Sequence, residues 1–264
     1  MSQQPQPIGV FDSGVGGLSV LRALVAELPG EDFVYVADSG HCPYGPRPKH
    51  EIQRLSHAMT EFLIEQGAKL VVVACNTASA AALAYLRATF PIPFVGMVPA
   101  LKPAAGRTRT GHVGVLATEG TFQGELFADV VARFGQGVQV HVQVGQGLVE
   151  LVEAGEVEGP RAEAAVERCL RPLLDASVDT LVLGCTHYPF LTPTLERVGQ
   201  GRLTVVEPSA AIAAQTRRVL AERGWLNPQP RGSRRYYTTG DADQVAAIAS
   251  RLLGQPVIVN QMGG

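Results

Sequence analysis

Along most of this chain, short apolar runs alternate with longer segments that are apolar on one face only. The runs are rich in Val, Leu and Ile and end at small or polar residues, as buried parallel strands do. The longer segments repeat apolar residues three and four positions apart, which is typical of amphipathic helices. The alternation predicts an α/β fold with mostly parallel sheets.

This pattern occurs twice. Ile8-Gly-Val-Phe11 and the turn after it resemble Val113-Gly-Val-Leu116, about 105 residues later. Leu70-Val-Val-Val-Ala-Cys-Asn-Thr77 resembles Leu181-Val-Leu-Gly-Cys-Thr-His187, about 110 residues later. We therefore expect two similar three-layer domains, related by a pseudo-twofold axis, that face each other across a central cleft.

The domain boundaries follow from the same repeat. Residues 1–99 and 210–264 are predicted to form the first domain, and residues 100–209 the second. Residues 99–110 are predicted to be a linker, and the helix 210–223 to cross back to the first domain. We expect residues 236–239 to form an edge strand and Asp241 to cap the last helix.

Two of the four cysteines stand at matching strand ends. Cys75 and Cys185 each follow an apolar run and precede a predicted helix, which Asn76 or Thr77 is expected to cap after Cys75. Ligands of parallel sheets bind at such carboxyl ends, and a helix N-terminus stabilises a thiolate. Cys169 lies in a helical stretch and is expected to be an ordinary buried side chain.

Two thiols that approach one molecule from opposite sides can invert a stereocentre. One thiolate removes a proton from carbon while the other thiol returns one. Asp12 and His187 stand beside the cysteines and can orient or tune them. Helix N-termini with Ser, Thr and Asn donors can hold a substrate carboxylate. This chemistry needs no metal and no cofactor.

Other chemistries fit the sequence less well. A pyridoxal enzyme needs a Schiff-base lysine, and none of the three lysines lies at a strand-end motif. A metal bound by Cys185 and His187 lacks a convincing set of further ligands. A Cys185–His187 pair for acyl transfer remains an alternative, although it leaves Cys75 without a role.

Composition restricts the binding partners and the cellular compartment that we expect for this protein. The chain has 22 Lys and Arg against 24 Asp and Glu, a net charge of −2, which offers no basic surface for nucleic acid or an anionic membrane. No apolar run reaches the roughly 18 residues of a membrane span. The first seven residues lack the features of a signal peptide, and no Cys-x-x-Cys pair occurs. We therefore expect a cytoplasmic protein.

Four ordered motifs resemble those of glutamate racemases in the aspartate/glutamate racemase superfamily. They are Gly9-Val-Phe-Asp-Ser-Gly-Val-Gly-Gly17, Pro43-Tyr-Gly45, Ala74-Cys-Asn-Thr-Ala-Ser79 and Leu183-Gly-Cys-Thr-His-Tyr-Pro189. The resemblance covers nearly the whole chain. It implies a cofactor-independent interconversion of L-glutamate and D-glutamate, a supply of D-glutamate for bacterial peptidoglycan, and a homodimer.

The same resemblance implies roles for individual residues. Cys75 would act from the D-glutamate side and Cys185 from the L-glutamate side, assisted by Asp12 and His187. The residues expected to bind glutamate are Asp12, Ser13, Tyr44, Gly45, Asn76, Thr77, Thr118, Thr121, Thr186 and His187. Glu150 is expected as an accessory residue. The segment before its helix, residues 143–147, departs from the family, which often has a Cys-Pro pair there.

Two alternatives stay open at this point. The chain can be a racemase of aspartate or another amino acid, because pocket shape decides substrate length. It can also be a two-domain protein that binds an amino acid without turning it over. The second cysteine favours a racemase, since a binding protein has no need of two thiols at matched strand ends.

Overall fold

The computed structural model describes residues 6–263 and contains two β-sheets, each covered by helices on both faces. The first five residues, which belong to the segment used above to argue against a signal peptide, lie outside this range. None of the helices within it combines the length and apolar character that crossing a bilayer requires.

The strands lie where apolar runs occur in the sequence. In chain order they are β1 Ile8–Asp12, β2 Phe33–Ala37, β3 Leu70–Val73, β4 Phe94–Gly96, β5 His112–Ala117, β6 Gln139–Val144, β7 Thr180–Gly184, β8 Thr204–Val206, β9 Arg234–Thr238 and β10 Val259–Gln261. The central strands β1, β3 and β7 are buried at every position, as expected for parallel strands covered on both faces.

Helices connect these strands. They are α1 Leu18–Glu27, α2 Lys49–Glu65, α3 Asn76–Thr89, α4 Leu101–Ala105, α5 Glu119–Phe122, α6 Glu125–Phe134, α7 Leu148–Glu153, α8 Pro160–Asp175, α9 Thr192–Gly199, α10 Ser209–Glu222 and α11 Ala242–Leu253. Asp241 caps α11 through a hydrogen bond from the Gln244 backbone N–H, as predicted.

The internal repeat appears as a repeated strand order. The first sheet has the order β10-β9-β2-β1-β3-β4, and the second has the order β6-β5-β7-β8. All of the strand pairs are parallel. Strands β2-β1-β3-β4 therefore correspond one for one to β6-β5-β7-β8, which confirms the predicted two-part α/β fold.

Alternate residues of β3 face opposite sides of the first sheet. Val71 and Val73 pack with residues of α2 and α3, whereas Leu70 and Val72 face the opposite core, which includes α1. That second core continues to the second sheet through Leu183 and its helices. One apolar core therefore joins the two halves of the molecule, each of which is built around one sheet, and fixes how their strand ends meet.

Two predicted elements differ from the structure. The linker predicted at 99–110 contains the short helix α4, whose Leu101 is fully buried against the second sheet. The strand predicted at the edge is β9, and β10 pairs with its outer side. Helix α10 packs against α1.

Asp179 fixes the connection that leads into β5. Its carboxylate accepts hydrogen bonds from Thr108 Oγ1 at 2.6 Å, from Arg109 N at 2.7 Å and from Thr110 N at 3.1 Å. Thr180 Oγ1 adds a fourth at 3.0 Å. Burial opposes the charge, but these bonds outweigh it and lower the pKa of Asp179 to about 2.

Candidate active site

Asp12 joins the two halves at the carboxyl end of β1. Its Oδ2 accepts hydrogen bonds from the Gly17 backbone N–H at 2.6 Å and from Thr186 Oγ1, beyond β7, at 3.2 Å. The carboxyl group is fully buried. Burial is the largest influence and raises the pKa of Asp12, although the charge of His187 opposes it. The two sets of strand ends therefore meet at this carboxylate.

Cys75 is itself the N-cap of α3. The helix begins at Asn76, and Cys75 Sγ accepts a hydrogen bond from the Ala78 backbone N–H at 3.4 Å. The expectation that Asn76 or Thr77 caps this helix is therefore wrong, because both residues already lie within its first turn. The thiol also lies 3.8 Å from Ser13 Oγ. Burial, followed by the charge of Asp12, raises the pKa of Cys75 well above its ordinary value.

Cys185 has a different partner. Its Sγ lies 3.7 Å from Nδ1 of the buried His187, whose Nε2 lies 2.6 Å from Glu153 Oε1. Burial lowers the pKa of His187, but hydrogen bonds with Cys185, Cys42 and Glu153 outweigh it and raise the pKa well above the ordinary value. Burial raises the pKa of Glu153, but contacts with His187, the Val15 backbone N–H and Cys42 outweigh it and lower that pKa. An imidazolium–carboxylate pair thus stands beside Cys185.

Glu153 is the glutamate that sequence reasoning missed. Glu150 was expected as the accessory residue, but it is exposed on α7. Glu153, at the end of the same helix, contacts His187 and also accepts a hydrogen bond from the Val15 backbone N–H at 2.7 Å. The sequence holds Leu-Val-Glu twice in succession here, and only the docking of α7 decides which carboxylate meets the histidine.

The glycine-rich turn after β1 allows the halves to approach closely. A Cβ at Gly14 would overlap the Glu153 carboxylate, and a Cβ at Gly16 would overlap the His187 ring. From sequence this turn could be a plain tight turn or an anion-binding turn. The structure gives it a further role, since its glycines make room for side chains of the second half.

Three threonine hydroxyls form a cluster between the halves. Thr77 Oγ1 and Thr118 Oγ1 are 2.8 Å apart, and Thr118 Oγ1 and Thr121 Oγ1 are 3.0 Å apart. Gly45 packs on the same group, because a Cβ placed there would lie 3.3 Å from Thr118 Cβ. The structure thus brings together four predicted binding residues from distant parts of the chain.

Asn76 carries an unsatisfied side chain at this place. The residue is 4% exposed, and neither its Oδ1 nor its Nδ2 has a hydrogen-bond partner within residues 6–263. An unpaired buried amide costs about 1–3 kcal/mol. A ligand that supplied both a donor and an acceptor would remove that cost, so Asn76 points to a polar ligand.

Tyr44 is held by the carboxylate of Asp38. Its hydroxyl donates to Asp38 Oδ2 at 2.5 Å, while Asp38 Oδ1 accepts from Thr239 Oγ1 at 2.6 Å. Burial and the Asp38 charge raise the pKa of Tyr44. The Tyr44 hydroxyl therefore anchors the loop that places Gly45 against Thr118.

One group of possible metal ligands includes His187. Within the described part of the chain, ligand atoms of Cys42, Glu153 and His187 all lie within 4.8 Å of one another. Cys185 is not part of this group, so it differs from the Cys185–His187 pair considered from the sequence.

Comparison with known proteins identifies the family. The sequence pattern of the Asp/Glu/hydantoin racemases matches residues 8–216. The chain belongs to that family. A glutamate racemase of Herpetosiphon aurantiacus is 52% identical to this family member over 244 residues, which cover 92% of this chain and 96% of the relative.

Solved structures of the family share the fold. A glutamate racemase isoform from Bacillus anthracis superposes with a TM-score of 0.89 at 34% identity, covering 97% of both chains. The Escherichia coli glutamate racemase, in complex with L-glutamate and the activator UDP-MurNAc-Ala, superposes with a TM-score of 0.85 at 35% identity. That match covers 97% of this chain and 98% of the other.

Proposed function

We propose that this protein interconverts L-glutamate and D-glutamate without a cofactor, using Cys75 and Cys185 as its two acid–base groups. The observation that carries the proposal is the equivalent placement of the two thiols. Each follows a central strand of its own sheet, and the carboxyl ends of β1 and β7 meet through the bond between Asp12 and Thr186. A ligand between the halves would lie between the two sulfurs.

The neighbours of the thiols suit opposite tasks. In the direction from L to D, Cys185 Sγ as thiolate takes the α-proton, and the electron pair of the C–H bond stays on the α-carbon and its carboxylate. The protonated His187 stabilises negative charge on that sulfur before the transfer. Cys75, whose raised pKa keeps it a neutral thiol, then gives its proton to the opposite face of the carbon. The reverse reaction exchanges these roles.

Polar groups at and near the N-terminus of α3 suit an amino-acid ligand. The unpaired Asn76 amide and the threonine cluster offer donors and acceptors for a carboxylate and an ammonium group. The positive end of α3 favours an anion at the same place. Glutamate is favoured over aspartate because the Herpetosiphon relative and both structural neighbours are glutamate racemases. A cytoplasmic homodimer that supplies D-glutamate for peptidoglycan completes the proposal.

Proton NMR in D2O tests the reaction. L-glutamate and D-glutamate are incubated separately with the protein, without pyridoxal phosphate, and with its Cys75→Ser and Cys185→Ser variants. The wild type should exchange the α-proton for deuterium and form the opposite enantiomer, and either substitution should abolish racemisation. If a parallel incubation showed exchange with aspartate but not with glutamate, the substrate would be aspartate. Measurable glutamate binding without any exchange would show an amino-acid binding protein instead.

A further inference from the structure

Cys42, Glu153 and His187 offer the three kinds of ligand that zinc prefers. A thiolate sulfur, an imidazole nitrogen and a carboxylate oxygen converge to within 4.8 Å. In tetrahedral zinc sites, bonds of about 2.0–2.3 Å place such ligand atoms roughly 3–4 Å apart. We propose that these residues form a binding site for Zn²⁺, and that zinc bound there inhibits the enzyme. The inhibition rests on the proposed function, whereas the binding does not.

The three ligands are held in place before any ion arrives. Glu153 is fixed by the Val15 backbone N–H, and the His187 ring packs against Gly16. Cys42 follows a helical turn, where its backbone N–H donates to Ser39 O. Cys42 also lies close to the turn after β1, because a Cβ at Gly14 would be 3.0 Å from its sulfur. Little chain ordering is therefore required on binding.

A path to the ion exists from solvent. A groove of about 360 Å³ runs beside α7 and α11, and its lining includes Cys42, Glu150, Glu153 and Gln244. Cys42 is partly exposed, and 21% of the Glu153 side chain is accessible. Water from this groove can fill the fourth coordination position. The site therefore differs from the buried thiols Cys75 and Cys185 in being open.

Zinc would act on the reaction through His187. The ring nitrogen that now lies 2.6 Å from Glu153 Oε1 would bind the metal instead, and the metal would hold the ring whose other nitrogen lies 3.7 Å from Cys185 Sγ. Glu153 would turn from the histidine to the ion. The metal would also tie the loop of Cys42, which belongs to the first half, to two segments of the second half.

Direct binding is measured by competition between the reduced protein and a chromophoric zinc chelator. The wild type should bind one zinc ion at this site, and Cys42→Ser should weaken that binding by at least about tenfold. Cys169→Ser is the matched cysteine control and should bind as the wild type does. Glu153→Gln should weaken binding, whereas Glu150→Gln, which alters the same helix and groove, should not. Circular dichroism verifies that each variant is folded, and Cys42→Ala replaces Cys42→Ser if the latter is not.

Cobalt substitution reports the ligand directly. Co²⁺ bound to the wild type should show sulfur-to-cobalt charge-transfer absorption, and this band should disappear in Cys42→Ser. A band of undiminished strength in that variant would show that the metal is bound by another of the cysteines, and would overturn the proposal. So would equal zinc affinity in the wild type and Cys42→Ser.

The racemase assay tests the consequence separately. Each variant is compared with its own rate in the absence of zinc. The zinc concentration for half inhibition should rise at least about tenfold in Cys42→Ser and stay unchanged in Cys169→Ser. Loss of zinc binding in Cys42→Ser with unchanged inhibition would refute the inhibitory role. An inactive wild type that still binds zinc through Cys42 would refute the proposed function and leave the site intact.

Discussion

At the scale of single residues, the two thiols differ in their neighbours more than in their placement. Cys75 has Asp12 and Ser13 as neighbours, and burial, followed by the charge of Asp12, disfavours its thiolate. Cys185 has the protonated His187, which Glu153 supports. The motifs predicted Asp12 and His187, because both lie beside conspicuous sequence features. Glu153 could not be predicted, because two successive Leu-Val-Glu triplets are locally alike.

Glu153→Gln tests whether the Glu153 carboxylate supports the protonated form of His187. Without the carboxylate, the pKa of His187 falls, so the protonated ring is lost at a lower pH. The alkaline limb of the kcat profile should therefore move to lower pH, and kcat should fall roughly 10–100-fold with little change in KM. Steady-state kinetics across pH measures both.

Glu150→Gln is the control, since Glu150 is exposed on the same helix. It should keep the wild-type kcat and the wild-type pH profile. Equal losses in both variants would mean that α7 matters through its stability and not through a contact with His187.

At the scale of elements, hydrophobic pattern predicted most of the strands and helices in their correct order. It did not predict helices α4, α5 and α6 or strand β10, and of these only α6 is as long as ten residues. Helix α4 spans five residues and strand β10 three, too few for either period to show. The cap of α3 was also missed, because a cysteine is not among the residues that usually cap a helix. Such details depend on contacts that form only in the folded chain.

Asp179 gives a prediction at this scale. Its pKa is about 2 when folded and about 3.9 when unfolded, so its ionised form stabilises the fold above about pH 4, and this contribution disappears as the pH falls toward 2. Asp179→Asn should lower the free energy of unfolding by about 2 kcal/mol near neutral pH. The difference from the wild type should shrink below about pH 4.

Urea unfolding at several pH values measures this difference. Asp129→Asn, which removes an exposed carboxylate from α6, is the control and should leave the free energy of unfolding nearly unchanged at each pH. A loss for Asp179→Asn that is equally large in acid would show that shape, and not charge, makes the connection before β5 stable.

At the scale of the whole molecule, the sequence repeat predicted the paired sheets and their facing strand ends. It could not predict how closely the halves approach. That distance is set where the glycine turn after β1 receives His187 and Glu153, and glycine has no side chain whose pattern could indicate it. The resemblance of the motifs indicated the candidate site residues, whereas the distances between them follow only from the fold.

Gly16→Ala tests this close approach. The added methyl group would overlap the His187 ring, so the halves must separate or the ring must turn. We expect the free energy of unfolding to fall by about 1–3 kcal/mol and racemisation to fall more than stability alone explains. Thermal unfolding and the racemase assay, run on the same samples, separate the two effects.

The matched control is Gly106→Ala. Its backbone is right-handed helical, and an added Cβ would meet no atom of the described chain closer than 3.9 Å. This variant should keep both stability and activity. If Gly16→Ala behaves in the same way, the turn after β1 is more compliant than its packing indicates.

The burial of both thiols has a consequence for turnover. Cys75 is 5% exposed and Cys185 is 7% exposed, and the bond between Asp12 and Thr186 lies across the line where the halves meet. In the proposed reaction a glutamate molecule must reach both sulfurs, so we expect the two halves to part at this contact before it binds and to close again afterwards. Closure would keep bulk water and oxidants from the sulfurs during the proposed proton transfers, and the exchange of product for substrate would then set an upper limit on the rate.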